Sequence, residues 1–146
     1  FFRQSFGNIP LNHLHWLYKV SDKIPQMQTI YATSSENGAY NFELTNIIKS
    51  AESGEKRSLI PFEEAYAKLL DIYTSVILTD PCRLVDAELC YAIFETDDVE
   101  TVMLYPIWVL IVKELHPDLG PECYNYYAYA FDAFTGERIV GNTMPK

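Results

Sequence analysis

No segment restricts the fold of this 146-residue chain more tightly than the aromatic run Tyr126-Tyr127-Ala128-Tyr129-Ala130-Phe131 and the turn that ends it. Closely spaced aromatic rings suit an extended strand, where each ring packs on a pleated surface. The run stops at Asp132-Ala133-Phe134-Thr135-Gly136, and Arg138-Ile139-Val140 returns as a second apolar segment. Gly136 supplies the left-handed conformation a tight turn needs. Asp132 and Thr135 carry short polar side chains that hydrogen-bond nearby backbone N–H groups. These three residues are read as a structural turn. Side chains alternate along a strand, so Tyr127, Tyr129 and Phe131 share one face while Tyr124 and Tyr126 share the other. A helix covers only one of those faces. The other either presents tyrosines to solvent for recognition or is covered by the N-terminal segment or a further region. Tyr124, Tyr126, Tyr127 and Tyr129 therefore form the candidate binding surface.

A helix is predicted over residues 61–78. Pro61 suits a first turn, Glu63 and Glu64 suit the positive end of the helix dipole, and Asp80-Pro81 closes the segment. Phe62, Ala65, Tyr66, Leu69, Tyr73, Val76 and Ile77 recur at helical spacing as one apolar stripe. Then Val85, Ala87, Leu89, Tyr91 and Ile93 alternate with Asp86, Glu88 and Cys90, as in a strand. Val102 to Val112 is apolar on both faces and reads as a central strand covered on each side. Glu95-Thr96-Asp97-Asp98 marks the turn between these two, and 116–121 is read as a rigid loop. Upstream, Phe1–Pro10 reads as a connector or a trimmed end and Leu11–Val20 as a short helix. Met27–Thr33 and Ala39–Ile48 form a hairpin about Asn37-Gly38. Ser50–Arg57 is a polar loop. The expected class is α+β: an antiparallel sheet of three to five strands with a long amphipathic helix packed on one face. Residues 1–58 would be an N-terminal hairpin segment, a remnant of a larger region, and residues 59–146 a helix plus antiparallel meander.

Composition narrows function by exclusion. With 20 acidic against 11 basic side chains the net charge is −9, which repels a phosphate backbone and disfavours nucleic acid as a partner. The longest apolar run is too short to span a bilayer and contains Pro106, so no transmembrane segment is expected here. The chain starts at Phe1 without an initiator Met and is read as a fragment or processed product. Cys82, Cys90 and Cys123 form no Cys-x-x-Cys pair, which argues against a structural zinc site. A Cys82–Cys123 bridge stays open, and Cys90 reads as a buried thiol. His13 and His15 lack a third ligand nearby, so they read as ordinary polar residues beside Trp16. Glu95, Asp97, Asp98 and Glu100 lack the glycine and spacing of a calcium loop. Glu63 and Glu64 diverge by about 100° around a helix and do not converge on one substrate. No catalytic residue, metal ligand or cofactor site is assigned.

The helix opening Phe62-Glu63-Glu64-Ala65, the strand meander and the closing Phe131-Asp132-Ala133-Phe134-Thr135-Gly136-Glu137-Arg138-Ile139 together resemble PepSY domains. They are also similar to the related extracytoplasmic regulators that restrain bacterial sensor kinases. The resemblance covers roughly residues 58–142. Tyr105-Pro106-Ile107-Trp108 is closer to the sensor-kinase regulators and to Gram-positive lipoproteins than to short PepSY repeats, and residues 1–58 match no motif. The resemblance implies an extracytoplasmic, cell-envelope setting with membrane anchoring through a missing N-terminal region. It also implies a non-catalytic role in recognising a protein or peptide partner. The alternatives are a structural domain of a larger envelope lipoprotein and a hydrolase whose catalytic groups are scattered in sequence.

Overall fold

The computed structural model describes residues 3–12, 29–45, 48–75, 81–98, 101–116, 120 and 123–140. Residues 13–20 of the short helix expected over Leu11–Val20, with His13, His15 and Trp16, residues 76–78 of the expected long helix and most of the 116–121 loop lie outside them.

The chain divides into two compact units, Phe1–Lys56 with Tyr91–Tyr105, and Arg57–Cys90 with Pro106–Lys146. In the first, β1 (Ser5–Phe6) and β2 (Ile9–Pro10) form a two-residue ladder about Gly7, whose φ is 61°. The segment expected to be a plain connector is thus a miniature hairpin. The Gln4 side chain holds it to the rest of the unit: its Oε1 accepts the Ile48 N–H at 3.1 Å and its Nε2 donates to the Ile48 carbonyl at 2.6 Å. Leu11 is buried and bridges Tyr91, whose carbonyl accepts the Asn12 N–H at 2.9 Å.

The hairpin expected about Asn37-Gly38 is present. β3 (Thr29–Ser35) and β4 (Gly38–Thr45) pair antiparallel, with Ser35 opposite Gly38 and Glu36-Asn37 as a two-residue loop. Gly38 has φ 114°, and the Asn37 N–H bonds the Ser35 hydroxyl at 3.2 Å. The register shifts between Thr33 and Ser34, leaving Tyr40 as an extra residue on β4, a bulge that increases local twist.

In the second unit α1 (Phe62–Thr74) follows Pro61. The long strands β5 (Cys82–Glu95) and β6 (Val102–Leu115) run through both units, and β7 (Tyr124–Asp132) and β8 (Arg138–Ile139) complete a four-stranded sheet ordered β5-β6-β7-β8. β6 is central, as its apolar faces indicate. Thr96 and Thr101 close the β5–β6 turn through hydroxyls 2.6 Å apart.

The α+β expectation is overturned. The described residues are mostly β, with six strands in a two-stranded and a four-stranded antiparallel sheet plus the small β1–β2 ladder. The helix spans 13 residues rather than the long element expected over 61–78. Local chemistry ends it. The Thr74 hydroxyl donates to the Asp71 carbonyl at 3.0 Å, and both the hydroxyl (2.7 Å) and the N–H (3.3 Å) of Ser75 donate to that of Ile72. Side chains that bond the last turn's carbonyls compete with further helix, and β-branched residues follow.

One buried cluster unites Ala65 and Leu69 of α1 with Leu110, Val112 and Phe131 of the sheet. Phe62 lies 5.8 Å from the Tyr66 ring and 5.9 Å from that of Trp108, extending the cluster toward the start of the helix. Cys82, Leu84 and Ala87 of β5 pack against it. Farther along β5 Cys90, Ala92 and Phe94 are the buried set, whereas Val85 is exposed. Leu69→Ala is expected to cost about 2–5 kcal/mol, because it leaves a cavity in a closed cluster. Leu70→Ala, at a side chain 45% exposed, should change stability by about 0.5 kcal/mol or less. Urea midpoints of the two variants measure the difference.

Candidate functional site

β7 reaches the surface gradually. It pairs with β6 from Asp132 opposite Ile107 to Tyr124 opposite Leu115. Its Ala130, Phe131 and Asp132 are buried, whereas Tyr124, Tyr126 and Tyr127 are 41%, 56% and 40% exposed. Phe131 and Tyr129 face α1. The helix runs alongside β6 from Trp108, which meets Phe62, to Glu114, which meets Tyr73. Tyr73 sits one residue before the helix ends and engages Tyr129, whereas Tyr127, opposite Val112, stays open to solvent. Tyr124 and Tyr126 lie on the opposite face with Lys113, whose Nζ is 3.5 Å from the centre of the Tyr124 ring. That contact restrains a ring that is otherwise free to sample rotamers.

The four candidate tyrosines are therefore not one surface. Tyr124 and Tyr126 are neighbours on one face, Tyr127 is exposed on the other, and Tyr129 is drawn into a hydrogen-bonded cluster. The Tyr73 hydroxyl donates to Glu114 Oε1 at 2.6 Å and lies 3.1 Å from the Tyr129 hydroxyl, with the two rings edge to face at 5.8 Å. Arg138 stands 5.1 Å over the other side of the Tyr129 ring. Burial, then the hydrogen bonds to Glu114 and Tyr129, hold the Tyr73 phenol protonated well above its ordinary range. A phenolate there would face a carboxylate. Tyr73 and Glu114 carry this cluster, and neither was singled out as a site residue. Tyr73 lay within the apolar stripe, and the one available signal for Glu114 was a charge immediately after a long apolar strand.

The turn residues converge as a unit. Asp132 is buried, and its Oδ1 accepts the N–H groups of Phe134 at 2.6 Å and Thr135 at 3.2 Å. Its carbonyl accepts the Gly136 N–H at 2.9 Å, and the Thr135 hydroxyl accepts that of Glu137 at 3.2 Å. Gly136 has φ 72°, and a Cβ there would lie 3.3 Å from Ile60 Cδ1. Arg57 stacks over Phe134 at 4.2 Å. Two shallow grooves flank the region. One of about 300 Å³ runs between α1 and β5 past Leu69, Tyr73, Cys82 and Val112. One of about 210 Å³ holds Lys68, Thr135, Glu137 and Arg138 over a floor of Ile72 and Phe131.

Cys82, Cys90 and Cys123 are free thiols, so the Cys82–Cys123 bridge does not form. Asp97 and Asp98 of the acidic turn are exposed. Among the described residues no group of three or more His, Cys, Asp or Glu side chains is placed to hold a metal. No helix among them is long and apolar enough to cross a membrane. No family model, curated protein or solved structure matches the chain.

Asp132→Ala leaves two N–H groups without their acceptor and should cost about 1–3 kcal/mol, with Asp132→Asn milder because one oxygen remains. Chemical denaturation of the two variants tests this. The Tyr73 proton is held more tightly in the folded chain than in the unfolded one, where the phenol titrates near 10.0. This contribution is whole below that pH. It falls away as pH rises above it, because the unfolded state alone loses the proton. Stability measured from pH 9 to about pH 11 should decline less steeply in Tyr73→Phe than in the unaltered chain.

Proposed function

We propose that this chain is a non-catalytic extracytoplasmic recognition module, PepSY-like in its closing turn, that binds a protein or peptide partner in the cell envelope through the solvent-facing end of β7. The observation that carries the reading is the exposure of Tyr124 and Tyr126 beside one another on one face, and of Tyr127 on the other, at the end of a strand whose other half is buried. Exposed large rings with a polar tip bury much area at little cost in side-chain entropy and are over-represented at binding hot spots. Lys113 over Tyr124 adds a positive group beside the rings. Tyr129 leaves the contact set, since its hydroxyl and ring are already engaged. The extracytoplasmic setting rests on the resemblance carried by Phe131–Ile139, and it motivates envelope proteins as the source of partners.

Selection of a random peptide library on the full chain tests the reading, with Tyr124→Ala/Tyr126→Ala as the comparison bait. Both side chains are exposed, so the double variant should keep its thermal melting point within a few degrees. Enriched peptides are expected to bind the variant at least about tenfold more weakly, a change of roughly 1.4 kcal/mol. Equal binding to both baits, or no enrichment, would remove this surface from consideration.

A further inference from the structure

We infer that the outer edge of β7 from Tyr124 to Ala128 accepts an extended acidic peptide as an added strand in line with β8. The inference rests on the recognition reading above and specifies how the partner is held.

Backbone parity defines the edge. β8 pairs with β7 only at Ala130 and Phe131. The Asp132 N–H donates to the Glu137 carbonyl on the β8 side, and the Ala133 N–H donates to the Pro106 carbonyl on the β6 side. Alternation along the strand then directs the N–H and C=O groups of Ala128, Tyr126 and Tyr124 toward the β8 side. Among the described residues no strand pairs with them there, and Tyr126 is 56% exposed. Proteins commonly blunt an open edge with proline, a bulge or inward charge. This stretch carries none of these and is lined by aromatic rings, the arrangement that strand addition uses.

Charge selects the occupant. A chain of net charge −9 repels acidic ligands in general, yet cations lie against the rings of this strand. Lys113 lies over Tyr124 and Arg138 over Tyr129. Lys68 shares the smaller groove with Arg138 and with one carboxylate, Glu137. Lys113, Lys68 and Arg138 make no ion pair among the described residues. Glu114 accepts a hydrogen bond from Tyr73. A strand continuing the line of β8 places alternate side chains on the Arg138 face and on the Tyr126 face, where Lys113 reaches from β6 over the Tyr124 ring. Carboxylates at those positions meet cations already held against rings, where charge-assisted hydrogen bonds form.

The probe is a blocked octapeptide alternating Glu and Val, titrated against the full chain by fluorescence anisotropy. A Lys-for-Glu version and a version N-methylated at alternate residues serve as comparisons. Binding of the Glu peptide is expected to weaken by at least about tenfold on N-methylation, on Lys replacement and in Ala128→Pro, and to fall with added salt. Ala128→Pro removes an outward N–H and leaves the β6 ladder intact. Should that variant fail to fold, the N-methylated peptide makes the same test on the unaltered protein. No binding by the Glu peptide, or equal binding of the N-methylated or Lys peptide, overturns the inference. So does a concentration-dependent dimer lost in Ala128→Pro, which would assign the edge to a second copy. Binding only after removal of residues 141–146 would overturn it in favour of the chain's own end. If selected peptides need Tyr124 and Tyr126 but tolerate Ala128→Pro, strand addition fails while the recognition reading stands.

Discussion

A carboxylate taken out of water at Asp132 organises the second unit. Burying such a group is costly unless hydrogen bonds replace its solvation, and here two backbone N–H groups do so from within the same turn. With the turn closed, Ala133 can donate to Pro106 and accept from Ile60, at 3.2 and 2.8 Å. The Ile60 carbonyl in turn accepts the Trp108 indole N–H at 3.1 Å. Ile60 immediately precedes Pro61, the residue that caps the start of the helix. The turn thereby sets where α1 begins and which of its side chains meet Leu110 and Phe131. Remove the carboxylate, and the lead-in to the helix loses the contact that anchors it.

The two tight turns were legible in the sequence because glycine conformation is a local property: Asn37-Gly38 and Thr135-Gly136 mark them without help from the rest of the chain. The central position of β6 was legible from apolar residues on both faces. Other features depend on distant partners. Which side chains of β5 are buried is decided by what packs on it, and the alternation of Val85 through Ile93 reads equally well with either face inside. The helix end turned on whether Thr74 and Ser75 would bond backwards to carbonyls, a competition that apolar spacing does not record. The Ser5–Pro10 ladder gains its hold from Gln4 and Ile48, which are 44 residues apart.

The candidate site shows the same limit. Aromatic density identified the right strand but not which rings would stay in contact with water. Tyr129 and Tyr127 share a face and differ by one pair along the strand. The first meets Tyr73 near the end of α1, and the second stays 40% exposed. Which ring is engaged is thus set by a helix residue far from it in sequence.

The β5–β6 hairpin has a consequence for how the protein can be divided. Its outer part, Tyr91–Tyr105, belongs to the compact unit built from the first 56 residues, and its base belongs to the other. A fragment beginning at Arg57 would carry Tyr91 without Leu11 and Asn12, which bond to it. No single scission of the chain separates the units with each complete. Modular reuse of either half, by recombination or by engineering, would require two junctions placed within the hairpin at the points where it passes from one unit to the other.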